Sequence, residues 1–279
     1  MTDQNDPQTN WNAFGRVNAS QRFRAPSAAM GRAMTEAIVA EVQVEPGMAV
    51  LDIACGTGEP AISIATRLNG SGKVVGCDIS PGPLKIAEQR ASERGLANVE
   101  FVPADVHALP FADASFDRIT CRLGVMFFAD PARAFRELHR VLKPGARLTI
   151  LAWGPMQQPY FETTVGTILA HVPGATVPPS GAAMFKYGQP GTLSSALRAA
   201  GFAHAKDRLA HVPWNWPGTP QEFWEYFQEV TVPFKPMFDA IPPDRRDHVN
   251  HAVLEALSRR YSDEEVKFDA VIVLASAIR

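Results

Sequence analysis

LDIACGTGEP, residues 51–60, runs a short apolar stretch into a glycine-rich turn and then toward a helix. The apolar run from Ala49 to Ala54 has the look of a strand buried on both faces. Gly56 and Gly58 lack a Cβ, so the backbone there can come close to a ligand. The turn should also aim amide groups and the start of the next helix into a crevice at the strand's end. Alone, such a turn is a weak sign of a nucleotide site.

Outward from this turn, strand and helix patterns alternate. KVVGCD (73–78) is a second strand, and PLKIAEQRASERG (83–95) is a helix closed by Gly95. VEFVPAD (99–105) and FDRITCR (116–122) are the third and fourth strands. PARAFRELHRVL (131–142) is a helix with Pro131 in its first turn, and RLTILAW (147–153) is the fifth strand after a turn at KPG (143–145). Repeated units of this kind imply a parallel, doubly wound α/β sheet. Upstream, Met30, Met34, Ile38 and Val42 fall at helical spacing. Downstream, TLSSALRAAGF (192–202) reads as a helix, HAKDRLAHVPW (204–214) as a strand, and 219–262 as helices interrupted by proline. VKFDAVIVLASA (266–277) returns to a strand, expected at the sheet's edge. The organisation expected is a disordered tail at 1–10, cap helices at 11–45, a ligand-binding core at 46–155, and at 156–279 the rest of the sheet with an inserted helical cap.

Composition narrows the partners. The 279 residues are 46% hydrophobic and 20% charged, with formal net charge −2. No basic excess offers itself to a phosphate backbone, so a nucleic-acid substrate is disfavoured. Cys55, Cys77 and Cys121 are odd in number and lack paired spacing, which points to buried thiols rather than disulfides or zinc. The polar N-terminus has no apolar signal core, and no window approaches a membrane span, so a cytoplasmic protein is expected.

Two acidic strand ends sharpen the site. Asp78 ends the second strand about twenty residues past the glycine turn, where a ribose-binding acid sits in such sheets. A helix N-cap is its other reading. Asp105 ends the third strand and could accept from an adenine amino group while the Val106 amide donates to the ring; a turn aspartate is the alternative. The turn from Gly56 reads G-T-G-E-P-A and so satisfies the permissive dinucleotide pattern. Asp52 argues against that ligand: an anion at the strand–turn junction opposes a pyrophosphate and suits a ligand with ammonium and sulfonium groups.

LDIACGTG, CDIS, ADVHALPF, FDRITCRLGVMFFADP and ELHRVLKPGARLTILAW, in this order, resemble the successive motifs of class I S-adenosylmethionine (SAM)-dependent methyltransferases. The branch they resemble is that of the ubiquinone/menaquinone-biosynthesis methyltransferases. The resemblance covers roughly 45–155. It implies a Rossmann-like, seven-stranded, mostly parallel sheet with helices on both faces and an antiparallel last strand. It also implies that Asp52 and the turn at Ala54, Gly56 and Gly58 hold the methionine portion of SAM. Asp78 would then hold the ribose, Ile79 or Leu84 would pack near the adenine, and Asp105 and Val106 would read it. Arg122 and Leu123 would lie near the sulfonium. Ala54 departs from the family, which often has glycine there, and the C-terminal third does not look like the quinone enzymes.

The function expected is in-line methyl transfer to a small hydrophobic or aromatic acceptor. Quinone-type C-methylation and a non-catalytic SAM-binding regulator are the alternatives. Trp11, Phe14, Met126, Phe127, Gln158, Tyr160, Phe161 and Trp224 are candidates for the acceptor pocket. Trp224 belongs to an aromatic group with Trp214, Trp216, Phe223, Tyr226 and Phe227, for which core packing is the competing reading. Tyr160, His107 and His171 are candidate bases, with Tyr187 a fourth, and no catalytic assignment stands out. His248 and His251 read as a surface pair rather than metal ligands.

Overall fold

The computed structural model describes residues 14–279, with side chains from Asn18 onward. Three helices lead in: α1 (Phe14–Arg22), α2 (Arg24–Met30) and α3 (Arg32–Val42). The spacing of Met34, Ile38 and Val42 buries one side of α3 against the sheet.

The alternating segment then forms β1 (Ala49–Ile53), α4 (Ala61–Leu68), β2 (Lys73–Asp78), α5 (Pro81–Glu93), β3 (Val99–Pro103), β4 (Phe116–Arg122), α6 (Pro131–Val141) and β5 (Leu142–Trp153). These five strands pair in parallel, in the order β3-β2-β1-β4-β5. Asp130 caps α6 by accepting from the Arg133 amide at 3.0 Å, with Pro131 directly after it. Residues Ala134, Phe135, Leu138 and Val141 give α6 its buried stripe. Helices α3, α4 and α5 form one contiguous layer, while α6 touches α7 (Thr192–Ala199) in a second.

The sheet is completed by β6 (Ala203–Pro213) and β10 (Asp269–Ile278), giving seven strands in the order β3-β2-β1-β4-β5-β10-β6. The last strand is antiparallel to both neighbours. It is not at the edge, as its place at the chain's end suggested. The physical reason is visible in the residues: AVIVLASA is buried almost continuously, whereas β6 alternates and exposes most of its side chains to water.

Helices α8 (Pro220–Val230) and α9 (Arg246–Ser258), a helical run over 159–171, and a small sheet of β7 (Trp216–Pro217), β9 (Glu265–Val266) and β8 (Tyr261–Ser262) make up most of the remainder, with short helical pieces at Pro179–Ala183, Val232–Phe234, Lys235–Asp239 and Pro243–Arg245. A full capping box, Thr219 with Glu222, starts α8. The N-terminal helices bridge the two regions. Arg24 pairs with Glu93 of α5 at 2.9 Å, Arg22 pairs with Glu225 of α8 at 2.7 Å, and the Phe23 ring meets Trp216 and Tyr226 edge-on. The ion pairs are exposed and worth little, so the buried Phe23 ring carries most of this join. Among the described residues no helix is long and apolar enough to cross a membrane.

Candidate active site

The C-terminal ends of β3, β2, β1 and β4 lie side by side, and the acidic residues and the glycine turn are all there. Register sets the first contact. Asp52 in β1 stands beside Thr120 in β4, and the Thr120 hydroxyl donates to Asp52 Oδ1 at 2.7 Å. The Ala61 amide at the start of α4 donates to Oδ2 at 3.1 Å. Asp52 is fully buried. Burial raises its pKa to about 7, against the lowering effect of these hydrogen bonds and of the Arg122 charge. Asp52 therefore holds the turn and the helix start from beneath. Its two oxygens are engaged here by Thr120 and by Ala61.

Asp78 links the next strand to the turn. The Gly56 amide donates to its Oδ2 at 2.9 Å and the Ser80 amide to its Oδ1 at 2.9 Å. These two bonds tie the end of the second strand to the glycine turn and to the start of α5. Gly56 sits at φ 53°, and a Cβ added there would meet nothing within 4 Å. Ser80 Oγ is buried without a partner among the described residues, and Ile79 is 38% exposed beside it. An orphan hydroxyl and an uncovered apolar side chain suit a ribose and an adenine face. Leu84 is buried on α5.

At the third strand end, the His107 amide and ring both bond Asp105 Oδ1, at 2.9 and 2.6 Å. The Asp130 amide donates to His107 Nε2 at 3.1 Å, which leaves the ring proton on Nδ1 facing Asp105. Burial would raise the Asp105 carboxyl, but the His107 bonds and the Arg133 charge hold it below its ordinary value. His107 is thus a brace and not a free base: its one lone pair is engaged. Val106 is partly buried between them.

Backbone strain marks the same place. Ala54 has φ 55° and Leu123 has φ 58°, both left-handed and both at the tips of neighbouring strands. Such outliers on non-glycine residues cost on the order of 1–3 kcal/mol and gather at functional sites. Gly124 is what Ala54 requires: a Cβ on Gly124 would lie 2.4 Å from the Ala54 Cβ and 3.1 Å from Cys121 Sγ. Gly124→Ala should cost about 1–3 kcal/mol by overpacking. Ala54→Gly should relieve most of that cost in the double variant. Urea denaturation of the three variants checks this, and simple additivity would contradict it.

The acceptor-side candidates divide. Met126 and Phe127 lie in the helical turn Val125–Phe127 just past the strained Leu123. Trp11 falls outside the described residues, as does the Phe14 side chain. Gln158 is corrected: its Nε2 donates to the Pro155 carbonyl at 2.7 Å and its Oε1 accepts from the Val271 amide at 2.9 Å, so it extends β10 rather than facing a pocket. Tyr160 stacks on Trp153 at 5.7 Å and meets Phe161, Trp214, Phe223, Phe227 and Phe268 edge-on. Burial pushes its phenol well above the ordinary value, so it is no base near neutral pH. Phe161 is equally buried, and Trp224 donates to Asn250 Oδ1 at 2.9 Å, tying α8 to α9. His171 pairs with His248 at 3.1 Å across the 159–171 run and α9. Tyr187 is buried, and burial pushes its phenol up to about 12.

Two residues, Arg90 and Thr120, escaped sequence reasoning. Arg90 reaches from α5 to the Thr57 carbonyl at 2.5 Å and to Glu59 at 3.3 Å, bracing the turn from outside. Nothing local distinguishes it from other helical arginines. Thr120 could have been suspected as a polar residue within a buried run.

Comparison with known proteins identifies relatives of the chain. Residues 27–173 match the ubiE/COQ5 methyltransferase family. The chain is 37% identical over 166 residues to a demethylmenaquinone methyltransferase of Thermus thermophilus, covering 55% of this chain and 74% of that one. It is 39% identical over 132 residues to a ubiquinone/menaquinone biosynthesis C-methyltransferase of Xanthomonas campestris, covering 47% of this chain and 52% of the relative. It thus spans about half the length of the latter. In fold it resembles the YcgJ protein of Bacillus subtilis (TM-score 0.55, 22% identity, 88% of this chain and 97% of that one). It also resembles a SAM-dependent methyltransferase of Aquifex aeolicus (TM-score 0.53, 22% identity, 70% and 92%).

Proposed function

Since the chain belongs to the ubiE/COQ5 methyltransferase family, we propose that it transfers the methyl group of SAM to a small hydrophobic or aromatic acceptor. The observation that carries this reading is the Asp78 carboxylate, bonded at once to the Gly56 and Ser80 amides beneath an open glycine cradle. Asp78 would take the ribose hydroxyls, Ile79 one adenine face, and Asp105 with Val106 the adenine edge. Asp52 would favour the cationic end through its field.

SAM supplies an activated methyl on a sulfonium that leaves as a neutral thioether. What remains for the protein is alignment and exclusion of water. The residues support that division: His107 and Tyr160 are committed elsewhere, and the aromatic cluster around Trp153, Trp214 and Phe223 is packed core. Residues 11–45 and 156–279 would enclose the acceptor. Quinone-type C-methylation is the second reading, favoured by the names of the relatives.

Incubation with methyl-tritiated SAM and a panel of quinols, phenols, amines and thiols tests the proposal. Label in an apolar or aromatic product is expected. Tight SAM binding with no product across the panel would instead indicate a SAM-binding regulator.

A further inference from the structure

The helical run over 159–171 is not uniform. Glu162–Gly166 forms a π stretch within it, and His171 ends the α-helical turns that follow. A π turn takes up one extra residue, so each later side chain is displaced about 100° around the axis relative to an unbroken α-helix. His171 comes to lie against α9. There its Nδ1 stands 3.1 Å from Nε2 of His248, with the two rings inclined at 61°.

The pair is open to water: His171 is partly buried and His248 is exposed. His171 also lines an open groove of about 330 Å³ between the run and α9, and the charged residues of that groove are Glu162, Glu255 and Arg259. Arg259 pairs with Glu255, which leaves the groove net negative through Glu162.

Two neutral imidazoles this close can share one hydrogen bond, which uses a single lone pair. They can equally turn both lone pairs to a cation. With metal–nitrogen bonds of about 2.0–2.1 Å, a separation of 3.1 Å corresponds to an angle at the metal of about 100°, between octahedral and tetrahedral. Among the described residues no third His, Cys, Asp or Glu joins the two, so water would complete the shell, and the groove has room for it. Imidazole suits Zn²⁺, Ni²⁺ and Cu²⁺, whereas Mg²⁺ and Ca²⁺ take oxygen ligands.

We propose that His171 and His248 form a two-histidine site for a divalent cation of the Zn²⁺ class, which staples the 159–171 run to α9. The ligating atoms are His171 Nδ1 and His248 Nε2, and each ring keeps its proton on its other nitrogen. The inference does not rest on the SAM reading.

Calorimetric titration of the full chain with ZnCl₂ near neutral pH, together with thermal melts, tests the site. The Tm of the wild type should rise with Zn²⁺ concentration, because the cation gains both ligands only in the folded chain. His248→Gln should weaken Zn²⁺ binding about tenfold or more and remove the rise in Tm. His171→Gln should do the same, and it serves as the second variant should His248→Gln fail to melt cooperatively. His251→Gln, one turn further along α9, keeps both ligands and should stay within about twofold of wild type. MgCl₂ should leave the Tm unchanged. Zn²⁺ should also slow hydrogen exchange in wild-type peptides covering 159–171 and 246–258. Wild-type Zn²⁺ affinity in both His171→Gln and His248→Gln, or no Zn²⁺-dependent protection of those two segments in the wild type, would overturn the assignment.

Discussion

Asp52→Asn is expected to make the protein more stable than wild type at pH 8 and to remove a pH dependence that the wild type shows below pH 7. Burial holds the Asp52 carboxyl at about 7 in the folded chain, against an ordinary value of 3.8. Between these values the folded state keeps a proton that the unfolded state has lost. Wild-type stability should therefore fall as pH rises from about 4 to about 7, and level off above. A raised pKa of this size corresponds to roughly 4 kcal/mol at most. Asparagine carries no charge to bury, and it can still accept from Ala61 and meet Thr120. Urea midpoints at pH 5 and pH 8 for both proteins read the effect, and parallel profiles would contradict it. The same group should couple to the ligand. A bound sulfonium or ammonium favours ionised Asp52, so SAM affinity should tighten as pH rises through about 7.

Asp78→Ala should weaken SAM about ten- to a hundredfold or slightly more, the equivalent of roughly 1.5–3 kcal/mol for a hydrogen bond to a charged acceptor. The variant loses more than a ribose contact. The Gly56 and Ser80 amides lose their acceptor as well, so the turn should loosen along with the affinity. Asp78→Asn keeps one acceptor oxygen and should fall between the two. Calorimetry with SAM checks the series, and wild-type affinity in Asp78→Ala would remove Asp78 from the site.

The parallel half of the sheet was legible because its strands are short apolar runs, each punctuated by glycine, proline or an acid. Asp78 and Asp105 could be placed at strand ends for the same reason. The interior position of β10 was not legible from its place in the chain, since insertion between β5 and β6 depends on which strand has two covered faces. The polar alternation of AHAKDRLAHVP was the available clue to the true edge. Strands β7, β8 and β9 are two residues each and too short for any periodicity. Side-chain partners were harder still. The Asp52–Thr120 contact depends on the register between β1 and β4, and Gln158 looks like a pocket amide until its backbone partners are seen. His107 reads as a candidate base in the sequence, and only the Asp130 amide on Nε2 shows that it braces rather than reacts.

Hydrogen exchange of the full chain with and without saturating SAM tests the crevice most directly. Slower exchange should concentrate in peptides covering 54–62, 78–80, 105–107 and 122–127. Protection confined to other segments, or none at a concentration that calorimetry shows to be saturating, would contradict the assignment of these four strand ends as the SAM site.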